Sequence, residues 1–182
     1  ELDVVLNVKN AVPFLHQDPD SDEILGQCEE SGRDQGHATL CVSLMGAFCQ
    51  MAYSIGEDLF AFDNYRAVAM AEYVGKYNLI KDEAFNKGTL VGDDFVYDSH
   101  SFPYTSYSNP SYTNATISTD QRGTKRPAWE LFYGYCKAKG ISSIYSGKWA
   151  EQMRPDGGGG NYGPNSGGFD QLGFGTLMYY RE

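Results

Sequence analysis

Apolar positions along this chain are densest between residues 37 and 55, where they fall on every face of a helix. A helix that is apolar all round is buried inside a larger assembly, so we expect this one to have neighbours on all sides. Gly56 stands where a glycine commonly ends a helix. A second helix is predicted over residues 57–76, which are rich in Ala, Met, Tyr and Phe.

The third predicted helix covers residues 126–140, RPAWELFYGYCKAKG. Pro127 suits its first turn, because an amide hydrogen has no helical partner there. Lys137 and Lys139 suit its last turn, where positive charge complements the helix dipole. Gly140 suits its end.

The three predicted helices lie within residues 37–140, and the closing GFGTLMYYRE is expected to form one more helical turn or a strand. Residues 1–36 are predicted to be irregular, since prolines and the acidic run DPDSDE interrupt any pattern. Residues 80–123 form a long polar loop, and loops of this length are usually functional. Residues 141–182 are predicted as a glycine-rich loop and a closing segment. The expected fold class is all-α, with long irregular loops.

Composition argues against some classes of function and favours others. A chain of 182 residues suits one domain with a sizeable core. The net charge of −10 argues against a nucleic-acid partner held through its phosphates. No apolar run is long enough to suggest a membrane span. Fourteen tyrosines and 21 glycines in an acidic chain are typical of secreted carbohydrate-active proteins.

Four cysteines occur, at positions 28, 41, 49 and 136. Cys41 and Cys49 lie on one predicted helix, about 12 Å apart along its axis, which is too far for a disulfide. Buried free thiols are the expected state, with a long-range pair such as Cys28 and Cys136 as the alternative.

The acidic run before the first predicted helix imitates a calcium loop. Asp18, Asp20, Asp22 and Glu29 occupy relative positions 1, 3, 5 and 12. Position 6, however, is Glu23, where the sharp turn of that loop requires glycine. A solvated acidic turn is therefore the favoured interpretation. The histidines show no zinc-binding spacing, and we expect neither metal nor cofactor.

The stretch ESGRDQGH, residues 30–37, opens the first helix with an unusual number of polar groups. One interpretation is structural, with Ser31 or Asp34 capping the helix while His37 makes a local hydrogen bond. The other is catalytic. Arg33 offers a planar fork for a carboxylate, and the positive end of the helix dipole favours a neutral imidazole, which can act as a general base.

Four motifs resemble the alginate lyase-like superfamily of polysaccharide lyases. They are ESGRDQGH, DLFAFDNYRAVAMAEYVGKYNL (58–79), RGTKRPAWELFYGY (122–135) and GFGTLMYYR (173–181). The resemblance implies an (α/α) toroid, secretion or a periplasmic location, and cleavage of a uronic-acid polymer by β-elimination. In that reaction the C6 carboxylate is neutralised, the C5 proton is abstracted and the C4–O bond breaks. The implied partner is an anionic polysaccharide such as alginate or glucuronan.

The resemblance also implies roles for individual residues. His37 and Tyr133 correspond to the acid and base, and Gln35 and Arg126 to residues that hold the carboxylate. Arg126 and Tyr133 are seven residues apart, close to two helical turns, so within one helix they share a face.

The insertion at 80–123 leaves a second possibility for the tyrosine. Tyr107 or Tyr104 could reach the cleft instead, and Tyr107 is also a candidate for substrate binding. The motifs concentrate positive charge at Arg33 and at the RGTKR segment, which would offset the acidic exterior locally, since distant charges are screened.

A complete toroid is longer than this chain, so we expect the chain to be its C-terminal half, with the N-terminal half missing. Two other functions stay open. One is a non-catalytic glycan-binding or structural fragment. The other is a toroid glycoside hydrolase, which requires two opposed carboxylates, and Asp34 and Glu130 are the carboxylates in the motifs.

Overall fold

A computed structural model describes residues 8–81, 89–90, 99–109, 112–153 and 179. Helices predominate, which confirms the helical class. The four main helices are α1 (Gln35–Ser54), α2 (Phe62–Asn78), α3 (Trp129–Lys139) and α4 (Ile144–Met153), and a 3-10 helix spans Glu29–Gly32. The glycine-rich part of the predicted closing segment lies outside the described residues.

Small antiparallel hairpins accompany the helices. Strand β1 (Phe14–Gln17) pairs with β2 (Ile24–Gln27), β3 (Ile80–Lys81) with β4 (Thr89–Leu90), and β5 (Tyr107–Asn109) with β6 (Tyr112–Asn114). The first hairpin corrects the expectation that residues 1–36 are irregular. Its strands have four residues each, too few for alternation to stand out beside the prolines. Helix α4 is likewise a correction, since it lies in the segment 141–182, which was predicted as a glycine-rich loop and a closing segment.

The predicted helix ends agree with the structure where glycine determines them. Gly56 follows α1 with φ +94°, and Gly140 ends α3 with φ +68°, both in the left-handed region. Helix α2 begins later than predicted. Its first turn, residues 63–65, is left-handed with φ between +48° and +61°, a conformation that L-residues adopt at a cost of roughly 1–2 kcal/mol each.

Helix α2, not α1, is buried on every side. All residues from 67 to 79 are buried, and α2 packs against β2, α1 and α4. The expectation that α1 is surrounded is wrong, because Leu44, Phe48, Met51 and Ile55 are 55%, 39%, 64% and 81% exposed. Their spacing of three to four residues places them on one face of the helix. We call these four residues the open face of α1.

Aromatic residues join α3 and α4 to the central helix. Trp129 stacks on Trp149 with 5.1 Å between ring centroids, and the Trp149 indole nitrogen donates to the Gly75 carbonyl at 3.0 Å. A Cβ at Gly75 would lie 3.3 Å from the Trp129 ring, so glycine permits the close approach. None of the helices within the described ranges is long and apolar enough to cross a membrane.

Candidate functional site

Asp34 determines where α1 begins. Its backbone is extended, with φ −165° and ψ 161°, and its side chain caps the helix by accepting a hydrogen bond from the His37 amide. The distance from the His37 nitrogen to Asp34 Oδ1 is 2.8 Å. Of the two predicted caps, Ser31 and Asp34, the structure selects Asp34.

The second oxygen of Asp34 holds the histidine ring. Asp34 Oδ2 lies 2.6 Å from His37 Nδ1, and the His37 side chain is 39% exposed. When Nδ1 carries its hydrogen toward a carboxylate, Nε2 is the nitrogen with the free lone pair. No hydrogen bond engages Nε2 in the part of the chain that the structure describes. Aspartate and histidine therefore form an oriented acid–base pair at the helix entrance.

Arg33 lies beside this pair. Its Nε is 3.6 Å from Asp34 Oδ2, its Nη1 is 3.5 Å from Glu30 Oε2, and its side chain is 43% exposed. Exposed ion pairs of this length are weak, worth about 0–1 kcal/mol. The guanidinium can therefore exchange these partners for another anion, which is compatible with the carboxylate-binding role predicted for Arg33.

Gln35 is placed differently from its prediction. It is fully buried, and its amide nitrogen donates to the carbonyls of Ser31 at 3.1 Å and Ser118 at 2.9 Å. Its amide oxygen accepts from Asn78 Nδ2 at 2.8 Å. Both amide hydrogens are thus engaged, so the expectation that Gln35 holds a substrate carboxylate is corrected. Gln35 instead links the start of α1 to α2 and to the segment at Ser118.

The loop at residues 117–124 is hydrogen-bonded to the segment that starts α1 and to the end of α2. The Gln35 backbone amide donates to the Asp120 carbonyl at 2.8 Å, and the Ser118 amide donates to the Ser31 carbonyl at 2.9 Å. The Gly123 amide donates to Asn78 Oδ1 at 2.9 Å. One face of the site is therefore built by a loop about 85 residues away in sequence.

Gln121 also lies at the start of α1, although no sequence pattern pointed to it. Its Oε1 lies only 2.1 Å from where a Cβ at Gly36 would stand, so a side chain at position 36 would require the Gln121 side chain to move. Its φ is +56°, in the left-handed region, which for a residue other than glycine often marks a functional site. Next to it, Arg122 donates to the Tyr77 carbonyl at 2.6 Å and stacks 3.9 Å above the Tyr77 ring centroid.

Arg126 and Tyr133 do not share a helix face. Helix α3 begins at Trp129, so Arg126 lies before it and the two-turn argument fails. Arg126 is 7% exposed. The Tyr133 ring lies against α4, 3.1 Å from the position of a Cβ at Gly147, and it makes no hydrogen bond with His37 among the described residues. The predicted pairing of Arg126 with Tyr133 is therefore corrected.

Tyr107 lies on a hairpin near the site. It is the first residue of β5, whose partner β6 contacts the 3-10 helix that leads to Arg33. Its ring meets Phe14 edge-on, with centroids 6.0 Å apart. Tyr104 lies three residues earlier, and burial raises the pKa of its hydroxyl.

The acidic run DPDSDE contacts a buried lysine, whereas the spacing of its carboxylates imitates a calcium loop. Asp18 is buried, and with Asp20 it receives hydrogen bonds from the fully buried ammonium of Lys76. The Tyr145 hydroxyl donates to Asp18 as well, at 2.7 Å. Although burial opposes it, the lysine contact and the further hydrogen bonds hold the pKa of Asp18 below its usual value. The expectation of a solvated turn is corrected. The described residues contain no cluster of three metal-binding side chains.

A cavity of about 220 Å³ lies on another side of α2, lined by Glu23, Tyr65, Glu72 and Ser142 among others. Glu72 receives hydrogen bonds from the amides of Tyr145 at 2.7 Å and Ser146 at 2.9 Å. Burial, and secondarily the charge of Glu23, raise the pKa of Glu72 to about 8. Nothing in the sequence patterns pointed to this pair of carboxyl groups.

Comparison with models of protein families gave no match. Comparisons with curated proteins and with solved structures gave no significant match either.

Proposed function

We propose that this chain is part of a polysaccharide lyase that cleaves a uronic-acid polymer by β-elimination. The observation that carries the proposal is the 2.6 Å contact between Asp34 Oδ2 and His37 Nδ1. This contact orients His37 so that Nε2 is the base. In the reaction, Nε2 takes the C5 proton, the electrons form the C4–C5 double bond, and the C4–O bond breaks with protonation of the leaving oxygen.

The substrate carboxylate needs a positive partner close to that base. Arg33 is half-exposed and one residue from Asp34, and the first turn of α1 adds the positive end of a helix dipole. Neutralising the carboxylate lowers the energy of the carbanion-like transition state, which is the largest contribution expected of such a site. Arg33 is therefore the proposed carboxylate ligand, and the buried Arg126 is given no direct part.

The leaving oxygen requires an acid, and Tyr107 supports this part of the proposal better than Tyr133 does. Tyr107 belongs to the hairpin that packs on the 3-10 helix before Arg33, whereas the Tyr133 ring lies on α4.

The open face of α1 supports the finer proposal that the fold is half of an (α/α) toroid. Short connections, residues 55–61 and 140–143, join α1 to α2 and α3 to α4, which is the arrangement of antiparallel helical pairs. From residue 38 to 56 the sequence contains no charged residue. An uncharged helix face with four exposed large apolar residues marks an interaction surface, and in a toroid the next helical pair covers it.

The decisive experiment is to incubate the chain with a panel of uronate polymers and follow the ultraviolet absorbance of the unsaturated product. A lyase produces new reducing ends and absorbance together, and both vanish in His37→Ala. Reducing ends without absorbance would instead indicate a glycoside hydrolase. Binding of the polymer without cleavage, by the chain alone and together with an N-terminal half, would indicate a glycan-binding module.

A further inference from the structure

Gln121 brings to the start of α1 an amide group that no hydrogen bond uses within the described ranges. The residue is exposed, and Asp34 Oδ1 lies 3.2 Å from the same Gly36 Cβ position that Gln121 Oε1 approaches. Oε1 is the nearer end of the amide, so Nε2 is directed away from Gly36. The Gln121 backbone carbonyl accepts from the amide and the hydroxyl of Thr124, but these bonds leave the side chain unengaged. A donor group is therefore available beside Asp34.

The backbone of Gln121 is held in a conformation that costs energy. Its φ of +56° is in the left-handed region, which is disfavoured for a residue with a Cβ. Hydrogen bonds on both sides impose this conformation: the Asp120 carbonyl accepts from the Gln35 amide at 2.8 Å, and the Gly123 amide donates to Asn78 Oδ1 at 2.9 Å. Strain that the surroundings impose in this way is common where a ligand is held. The loop thus fixes the Gln121 amide in place although the amide gains no bond there.

We propose that Gln121 binds the carboxylate of the substrate, and that together with Arg33 it makes the site specific for a uronate over a neutral sugar. This inference rests on the proposed function of the site at Asp34 and His37. The Gln121 Nε2 group donates to one carboxylate oxygen, while the Arg33 guanidinium pairs with the other. Asp34 is the common neighbour of both side chains. Gln121 thus supplies the free amide that the fully engaged Gln35 lacks.

Specificity follows from the interactions that a neutral sugar cannot make. A sugar with a hydroxymethyl group in place of the carboxylate has one oxygen there and no charge. It can satisfy either Gln121 or Arg33, but not both at once, and its hydrogen bonds are not charge-assisted. A site built to hydrogen-bond one group discriminates against an analogue that lacks it, because its own polar groups are then left unpaired.

Binding of oligosaccharides to His37→Ala measures affinity apart from turnover, because this variant lacks the base. Calorimetry compares a glucuronan or alginate oligosaccharide with its carboxyl-reduced counterpart. Adding Gln121→Gly should weaken binding of the uronate by roughly 10- to 100-fold, as expected for a lost hydrogen bond to a charged group. Binding of the neutral counterpart should stay unchanged. Gln121→Glu should weaken uronate binding further, because like charges repel, and the additional loss should shrink at high salt.

Gln121→Gly is the variant of choice because it separates loss of binding from loss of folding. Glycine adopts a φ of +56° without the strain that another side chain would keep, so its thermal midpoint should lie at or above that of the wild type. Gln50→Ala is the matched control. It removes an amide from the same helix that carries His37, roughly 20 Å farther along its axis, and it should leave the affinity for both oligosaccharides unchanged.

Cleavage by the wild-type chain distinguishes failure of this inference from failure of the proposed function. If the wild type cleaves uronates and Gln121→Gly does so with the same KM and the same uronate affinity, this inference alone is overturned. An equal loss of affinity for the neutral counterpart also overturns it, because the amide would then hold a hydroxyl group. A wild-type chain that neither binds nor cleaves any uronate overturns the proposed function and this inference together.

Discussion

Asp34 holds His37 at two points, with Oδ1 accepting from the backbone amide at 2.8 Å and Oδ2 lying 2.6 Å from ring Nδ1. Capping and orientation of the base are therefore not rival roles at this turn. One carboxylate starts the helix and fixes which histidine nitrogen can take a proton. Substitutions at Asp34 can separate the two effects, because Asn and Ser preserve the cap and lose the contact that orients the ring.

We expect Asp34→Asn to keep the cap and lose activity. The asparagine oxygen still accepts from the His37 amide, but its NH₂ group donates to Nδ1 and leaves the hydrogen on Nε2, so the base is lost. The rate of uronate cleavage should fall by roughly 10²–10⁴, the usual contribution of a positioned base. Product absorbance measures this, and thermal unfolding should stay near wild type.

Asp34→Ser and Asp34→Ala provide the matched controls. Serine is a good cap that cannot reach the ring, so it should resemble Asp34→Asn in activity and the wild type in stability. Alanine should additionally cost about 0.5–2 kcal/mol in unfolding free energy. The role of the pair is refuted if Asp34→Ser is fully active.

Gln35 should matter for stability more than for substrate affinity. Gln35→Ala removes the hydrogen bond that Asn78 Nδ2 donates to Gln35 and the two that Gln35 donates to the carbonyls of Ser31 and Ser118. A buried polar group that is left unsatisfied costs about 1–3 kcal/mol. Urea unfolding should show a lower midpoint with an unchanged slope. In a double-mutant cycle with Asn78→Ala, the two losses should be markedly less than additive.

Glu72 should make the protein less stable as the pH rises. A carboxyl group with a pKa of about 8 in the folded state, above its value in the unfolded chain, binds more protons when folded. Its stabilising contribution is complete below about pH 4.5 and is lost as the pH rises toward 8. Thermal midpoints between pH 5 and pH 8 should decline in the wild type and decline less in Glu72→Gln.

Glu23→Gln is the matched control for this pH dependence. It removes the charge that helps to raise the pKa of Glu72 but leaves Glu72 able to titrate. The decline in stability should therefore shift to lower pH and persist. An identical pH profile in all three proteins would contradict the assignment.

Lys76→Met should be strongly destabilising, although a buried methionine is itself apolar. Removing the ammonium leaves the buried Asp18 carboxylate without its counter-charge, which typically costs about 3–5 kcal/mol. Lys137→Met, at an exposed position on α3, should cost less than about 1 kcal/mol. Adding calcium should leave the wild-type melting temperature unchanged, because Lys76 already occupies the acidic turn.

Met51→Glu tests the proposal that another helical pair covers the open face of α1. In this chain the substitution should change the unfolding free energy by less than about 0.5 kcal/mol, as at other exposed positions. In a longer chain that also contains the N-terminal half, it should bury an unpaired charge and be severely destabilising. Equal stability in both contexts would count against the toroid.

The site was predictable where its parts are neighbours in sequence. Arg33, Asp34 and His37 lie within one turn, so capping rules and helix geometry place them together. Gln121 could not be found in this way, because it reaches Gly36 from a separate loop. Arg126 and Tyr133 were misjudged since the prediction began α3 three residues too early, and a difference of three residues changes which side chains share a face.

The sequence by itself determined the local features: the helical class, a polar cap before α1 at Ser31 or Asp34, and the helix ends at Gly56 and Gly140. These depend on backbone conformation and on hydrogen bonds within a few residues. Only the tertiary structure decided which apolar helix is central, why Lys76 can be buried, and that the loop at residues 117–124 lies against the start of α1. Such outcomes depend on the packing of distant segments, because burial and charge compensation are properties of the assembled neighbours and not of any one stretch.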